Sequence, residues 1–303
     1  MRRRWPELLL AIGLAWTKSS AAQTLTFSVK KEEVRIDVLV TEHGSPVHGL
    51  GVDDFEVLDN GVRQRVNFAS EVHTPFNAVL VLDMSESVAG ERLLHLKEAG
   101  GEFLNALKTD ERAALVTFSH AVSLDSGLTN DTYRVNAKLD AVQPSGTTSV
   151  IDASYIGLMI AESNPGRPLV IVFSDGLDTS SWLTGDAVHE TAKISDAVVY
   201  AVSVGRYPKI TFLRDLTQLT GGALFEIESR ANLGAMFLNI LEEFRRRYLV
   251  TYSPDGVLRG GWHQLEVHIK GRKLEVRARP GYAVGPGSGR SDPTRDPQSP
   301  EIP

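Results

Sequence analysis

Ala78-Val79-Leu80-Val81-Leu82 runs without interruption into Asp83-Met84-Ser85-Glu86-Ser87. Five consecutive apolar residues read as a strand buried on both faces, the kind found in parallel sheets covered by helices. The oxygen-bearing residues then stand at the carboxyl end of that strand, where open parallel sheets bind their ligands. The pattern repeats downstream. Residues 90–108 are predicted to be helical, because Leu93, Leu96, Gly100, Phe103 and Leu107 keep a three-to-four spacing. Apolar runs at 113–118, 169–173 and 198–204 read as further strands, with 121–124 pairing back on the first. Helical patterns at 132–142, 149–163 and 184–196 separate them. A helix ending at Gly221-Gly222, a strand at 223–227 and an amphipathic helix at 232–247 follow. Alternating strand and helix predicts an α/β fold over residues 76–245: a doubly wound, mostly parallel sheet flanked by helices.

Both flanks change period. Val34, Ile36, Val38 and Val40 alternate with Arg35, Asp37 and Leu39, as in a half-buried strand. Residues 55–58 and 62–68 read as strands joined by Asp59-Asn60-Gly61, a hairpin turn. Beyond the α/β region, 248–252, 264–269 and 274–278 are strand-like. Isolated hairpins are marginal in water. Segments 24–73 and 248–284 are therefore predicted to pair into one flanking β-rich module. Residues 285–303 hold eleven Gly, Pro or Ser among nineteen and are expected to be disordered.

The N-terminus carries Arg2-Arg3-Arg4, a short apolar run over 8–16, and Ser20-Ala21-Ala22. This is the layout of a secretory signal peptide over residues 1–22. The apolar run is shorter than the roughly 20 residues that span a bilayer. A secreted or periplasmic chain without a transmembrane segment is expected, cleaved after Ala22. An intact mass of the exported protein that still includes Met1 would overturn this.

The 303 residues are 42% hydrophobic and 23% charged, enough for a sizeable core, with a net charge of −6 and a pI near 5.8. That balance excludes the basic stripe of a nucleic-acid-binding protein. Arg245-Arg246-Arg247 reads as the last turn of a helix, where cations suit the macrodipole. The absence of cysteine removes thiolate metal sites, disulfides and thiol catalysis. No glycine-rich turn follows the first buried strand, and no Gly-x-Ser-x-Gly is present, so dinucleotide binding and serine hydrolysis lack their motifs. A haloacid-dehalogenase-type phosphatase would need a second Asp where Ser85 stands. No enzyme class is supported. His263 and His268, five apart on a predicted strand, read as surface residues.

Three strand-end segments offer oxygen donors: Asp83-Met84-Ser85-Glu86-Ser87, Ser145-Gly146-Thr147-Thr148 and Ser174-Asp175-Gly176. Oxygen-only donors suit a hard cation such as Mg²⁺, with Mn²⁺ or Ca²⁺ as alternatives. Neutral hydroxyls leave most of a cation's charge uncompensated, so it still seeks an anionic oxygen from outside. Taken singly, each of these residues is more often a helix cap or turn residue than a ligand. Glu86, Asp178 and Ser180 read as exposed or solvated loop positions, although Asp178 lies close enough to Asp175 to tune an ion's field. Thr147 and Thr148 could each be an ordinary cap of the helix that follows; Thr147, directly after Gly146, is the candidate and Thr148 the runner-up.

The arrangement resembles the von Willebrand factor A domain, whose motif is Asp-x-Ser-x-Ser with a distant Thr and a distant Asp. Asp83, Ser85, Ser87, Thr147 and Asp175 fill it in order. The resemblance implies a metal-ion-dependent adhesion site, in which the hydroxyls hold Mg²⁺, the aspartates act directly or through water, and a Glu or Asp of a protein partner completes the coordination. The flanks, from Val38-Leu39-Val40-Thr41 to Pro280-Gly281-Tyr282, resemble the acidobacterial-type group of proteins related to this domain. An exported, non-enzymatic adhesion or interaction module is therefore expected. The alternative is a structural module with a vestigial or purely structural metal site.

Overall fold

The computed structural model describes residues 33–71, 74–175, 177–204, 211–227 and 232–284. The expected signal peptide and C-terminal tail lie outside the described residues. In chain order the first strands are β1 (Val34–Glu42), β2 (Ser45–Pro46), β3 (Phe55–Asp59), β4 (Val62–Gln64) and β5 (Val66–Ser70). The α/β region follows with β6 (Phe76–Asp83), α1 (Glu91–Asn105), β7 (Arg112–Phe118), β8 (Val122–Thr129), α2 (Thr132–Ala141) and α3 (Val150–Ala161). It continues through β9 (Arg167–Ser174), α4 (Gly185–Ile194), β10 (Val198–Val204), α5 (Thr211–Leu219), β11 (Leu224–Ile227) and α6 (Leu233–Arg245). The last strands are β12 (Tyr248–Tyr252), β13 (Gly261–Ile269), β14 (Glu275–Arg277) and β15 (Gly281–Val284). No helix among the described residues is long and apolar enough to cross a membrane.

The central sheet runs β11-β10-β9-β6-β7-β8, and all its neighbours are parallel except β7 and β8. This is the doubly wound, mostly parallel sheet expected from the sequence. Strand alternation builds its two cores. Ala78, Leu80 and Leu82 of β6 pack on one face with Phe103 of α1 and Phe237 of α6. Val79 and Val81 pack on the other face with Leu158 of α3 and Leu213 of α5. With both faces covered, every residue of β6 and of β9 is buried. That is why each reads as a continuous apolar run and not as an alternating one. The chain leaves β6 for β7 on one side and later returns to β9 on the other. The switch point of the strand order therefore lies between β6 and β9, and open sheets of this kind take ligands in the crevice beyond the carboxyl ends at that point.

The flanking segments form two further sheets. One has the order β14-β1-β12-β5, with β2 on β1; the other has the order β15-β13-β3-β4. β1 pairs antiparallel with β12, and β3 with β13, so N- and C-terminal segments share both sheets. Ile36, Val38, Phe55, Val57, Tyr248 and Val250 fill the core between them. The single strand expected at 62–68 is two strands in different sheets, interrupted at Arg65. Period alone did not reveal the break, because the residue that β4 buries is the polar Gln64 while Val62 is left exposed.

His263, expected at the surface, is instead buried in this sandwich. Its Nδ1 lies 2.8 Å from Oδ1 of the fully buried Asp59. The Tyr252 and Tyr282 hydroxyls donate to Oδ2 of the same carboxylate at 2.7 and 2.9 Å. One carboxylate thus collects donors from β12, β13 and β15. Burial, with Tyr282 and Asp59 adjoining, pushes the Tyr252 hydroxyl far above its ordinary range.

The arginine run also departs from its expected role. Arg245 closes α6 and pairs with the buried Glu111 at 2.6 Å. Arg247 lies beyond the helix and is fully buried. It donates to Tyr200 Oη at 3.0 Å, Asp37 O at 3.1 Å and Gly221 O at 2.6 Å. It is a joint between β10, the turn after α5 and β1.

Candidate metal centre

Asp83 is the last residue of β6 and is 0% exposed. Its Oδ1 accepts the Ser85 N–H at 2.9 Å, which curls the Asp-x-Ser-x-Ser segment back over the strand end. Its Oδ2 accepts the Ser174 hydroxyl at 2.8 Å. The Ser85 and Ser87 hydroxyls lie 2.9 Å apart, and Ser87 donates to Asp175 Oδ1 at 2.6 Å. Asp83, Ser85, Ser87 and Asp175 are thus brought together as one linked cluster of oxygens across the switch point.

The third segment is held to the first by its backbone. Ser145 N–H donates to Met84 O at 2.8 Å, and Glu86 N–H donates to Gly146 O at 3.1 Å. Gly146 has φ +68°, a left-handed backbone that other side chains rarely adopt, and a Cβ there would also displace the exposed ring of His120. Thr147 follows directly and is exposed. Its hydroxyl donates to Ser180 Oγ at 3.0 Å and has no recorded bond to the other four candidate residues. Thr148 is buried, and its carbonyl accepts the N–H groups of Thr179 and Ser180 at 2.8 and 3.1 Å. The Thr148 backbone thus holds the loop after β9, and Thr147 is the exposed one of the two threonines.

Two neighbours had no motif to announce them. Ser174 binds the second oxygen of Asp83; its only sequence signal is that it precedes Asp175. Arg92, in the first turn of α1, donates to Asp175 Oδ2 at 3.0 Å and to Ser87 O at 2.7 Å. Asp178 also differs from the solvated loop residue expected. It accepts the Ile151 N–H at 3.2 Å and the Ser181 hydroxyl at 2.5 Å, pinning the loop after β9 to the start of α3.

Burial pushes the Asp83 carboxyl above the ordinary aspartate range; hydrogen bonds from Ser85 and Ser174 pull it back, and the charge of Asp175 pushes it up again. Two carboxylates with hydroxyl oxygens between them are oxygen donors of the kind a hard divalent ion takes. Among the described residues, no group of three or more His, Cys, Asp or Glu is placed to hold a metal ion, so the candidate site rests on two carboxylates and on hydroxyls.

Comparison with known proteins agrees with this fold. Residues 78–178 match the sequence model of the von Willebrand factor type A domain. The inter-alpha-trypsin inhibitor heavy chain H2 of Mus musculus is 28% identical over 164 residues, which cover 49% of this chain and 17% of that protein. The chain thus spans only a small part of the length of its curated relatives. Among solved structures, a von Willebrand factor type A protein from Catenulispora acidiphila has a TM-score of 0.53 at 13% identity, covering 81% of this chain and 76% of that one. Proximal thread matrix protein 1 from the mussel byssus, solved with a zinc-occupied MIDAS motif, has a TM-score of 0.52 at 15% identity, covering 60% and 48%. At such identities the likeness is one of fold.

Proposed function

We propose, for a chain that carries a von Willebrand factor type A domain, that it is an exported, non-enzymatic binding protein whose switch-point crevice takes up one divalent cation and engages a carboxylate of a protein partner. The ligand set we assign is Asp83, Ser85, Ser87, Thr147 and Asp175. The observation that carries this reading is the linked oxygen cluster around the fully buried Asp83. The donors are carboxylates and hydroxyls with no nitrogen or sulfur, which favours Mg²⁺, with Mn²⁺ or Ca²⁺ as alternatives, over a softer ion. A cation held there supplies an electrophilic centre for an anionic oxygen. The chain's own residues do the rest. Asp83 and Asp175 provide the negative charge, the three hydroxyls add oxygens without cancelling the positive charge, and Gly146 keeps the Thr147 loop close. The net charge of −6 works against long-range capture of acidic partners, so the attraction must be local.

The Arg92–Asp175 pair favours a second reading, a scaffold module whose site is closed by its own guanidinium. Calorimetric titration separates the two. Mg²⁺ binding by the parent and none by Asp83→Ala is expected; equal binding would refute the site. Chelation is expected to release the partner, and a moderate rise in salt to matter less, because a direct metal–oxygen bond is screened less than an exposed ion pair. A partner retained in EDTA and by Asp83→Ala would move recognition elsewhere on the chain.

A further inference from the structure

Trp182 lies on the loop between β9 and α4, and 93% of its surface is exposed. Leu177, on the same loop, is 49% exposed. An indole left in water forgoes one of the largest burial gains any side chain offers. The loop is nonetheless well tied. The Asp152 carboxylate accepts the N–H groups of Trp182 and Leu183, each at 2.9 Å. Asp178 holds Ser181, and the Thr148 carbonyl holds Thr179 and Ser180. The backbone that carries the indole is therefore fixed before anything binds, which lowers the ordering cost of a contact made there.

The loop also adjoins the candidate cation site. Ser180 accepts the Thr147 hydroxyl at 3.0 Å, and Trp182 is two residues further on, with its Cα at most about 7 Å from that of Ser180. We infer that Trp182, with Leu177, is an apolar anchor on the rim of the cation site, and that the partner carries an aliphatic or aromatic side chain within about three residues of its acidic one. This rests on the carboxylate-binding reading above and adds to it the chemistry of the partner segment. A peptide advances about 3.3–3.6 Å per residue, so three residues carry a side chain roughly 10 Å along from the acidic one. Exposed aromatic anchors beside a charged contact are the usual carriers of interface energy. A lipid surface is the poorer occupant. Residues 177–187 contain Asp178 and Asp186 and no Lys or Arg, the reverse of a segment drawn to anionic headgroups.

The test uses the full chain in Mg²⁺ and synthetic Gly/Ser peptides with one fixed Glu. A single Leu or Phe is scanned over the three positions on each side of it. At one or more positions the apolar residue is expected to raise affinity about thirtyfold over the all-Gly/Ser peptide, the scale of one interface hot spot. Trp182→Ala is expected to remove that gain and keep the weaker Glu- and Mg²⁺-dependent binding; Trp182→Phe should retain most of the gain. With Trp182 so exposed, neither change threatens the fold. No apolar gain in the parent, or an equal gain in Trp182→Ala, would overturn the inference and leave the cation reading standing. Binding that needs neither Glu nor Mg²⁺ would take down both. A blue shift in tryptophan emission with neutral or anionic phospholipid vesicles, lost in Trp182→Phe, would assign the loop to membranes instead.

Discussion

Arg247→Ala is expected to lower the unfolding free energy by about 3–5 kcal/mol, the cost of removing one partner from a buried, charge-assisted network. The guanidinium has no exposed surface and satisfies three oxygens: Tyr200 Oη, Asp37 O and Gly221 O. Its loss strands acceptors on β10, on β1 and in the turn after α5, and it leaves a cavity where the side chain stacked on the Tyr200 ring. An unsatisfied buried polar group costs roughly 1–3 kcal/mol. The effect should appear as a fall in melting temperature of roughly 6–20 °C for a chain of this size. Arg247→Lys should recover only part of it, because an ammonium lacks the planar fork that reaches three acceptors at once. A loss below about 1 kcal/mol in denaturant titration of Arg247→Ala would mean that the joint is held by other contacts.

Asp83→Asn should separate stability from cation binding. Its carboxyl pKa is raised in the folded chain, above all by burial. Between the unfolded and the folded pKa the folded state holds more protons than the unfolded state, so in chelator stability falls as pH rises through that window. The penalty is absent below the unfolded pKa and fully present above the folded one. Asparagine carries no charge and retains a carbonyl for the Ser85 N–H. In EDTA at neutral pH, Asp83→Asn is therefore expected to melt at or above the parent, and the acid side of its stability profile should flatten. Added Mg²⁺ should raise the melting temperature of the parent and leave the variant unmoved. The loss of cation affinity should exceed the roughly 10–100-fold typical of an outer-shell change. A variant less stable than the parent in EDTA by more than about 1 kcal/mol would show that the carboxylate serves as a structural acceptor and is not held in reserve for a cation.

Much of the architecture was legible because both faces of the central sheet are covered. Burial on two sides leaves residues 78–82 of β6, 169–173 of β9 and 198–202 of β10 as unbroken apolar runs, which local reading recognises without knowing what packs on them. The candidate site was legible for a related reason. Its residues stand at strand ends, and strand ends can be located from where the apolar runs stop. The split of residues 62–70 between two sheets was not legible, since β4 buries the polar Gln64 and leaves Val62 exposed, against the alternation a sequence reading uses. Arg92 was equally silent, because a basic residue in the first turn of a helix carries no local signal that it reaches Asp175.

By itself the sequence determined the alternation of elements, the α/β class, and the order in which Asp83, Ser85, Ser87, Thr147 and Asp175 occur. Local periodicity and residue chemistry suffice for these. Only the tertiary structure decided which distant groups meet. His263 and Arg247 looked like surface and helix-end residues, yet both are buried, because partners 204 and 47 residues away supply the oxygens that make their burial tolerable. A polar side chain is admitted to a core only where its hydrogen bonds are met, and the groups that meet them come from elsewhere in the chain.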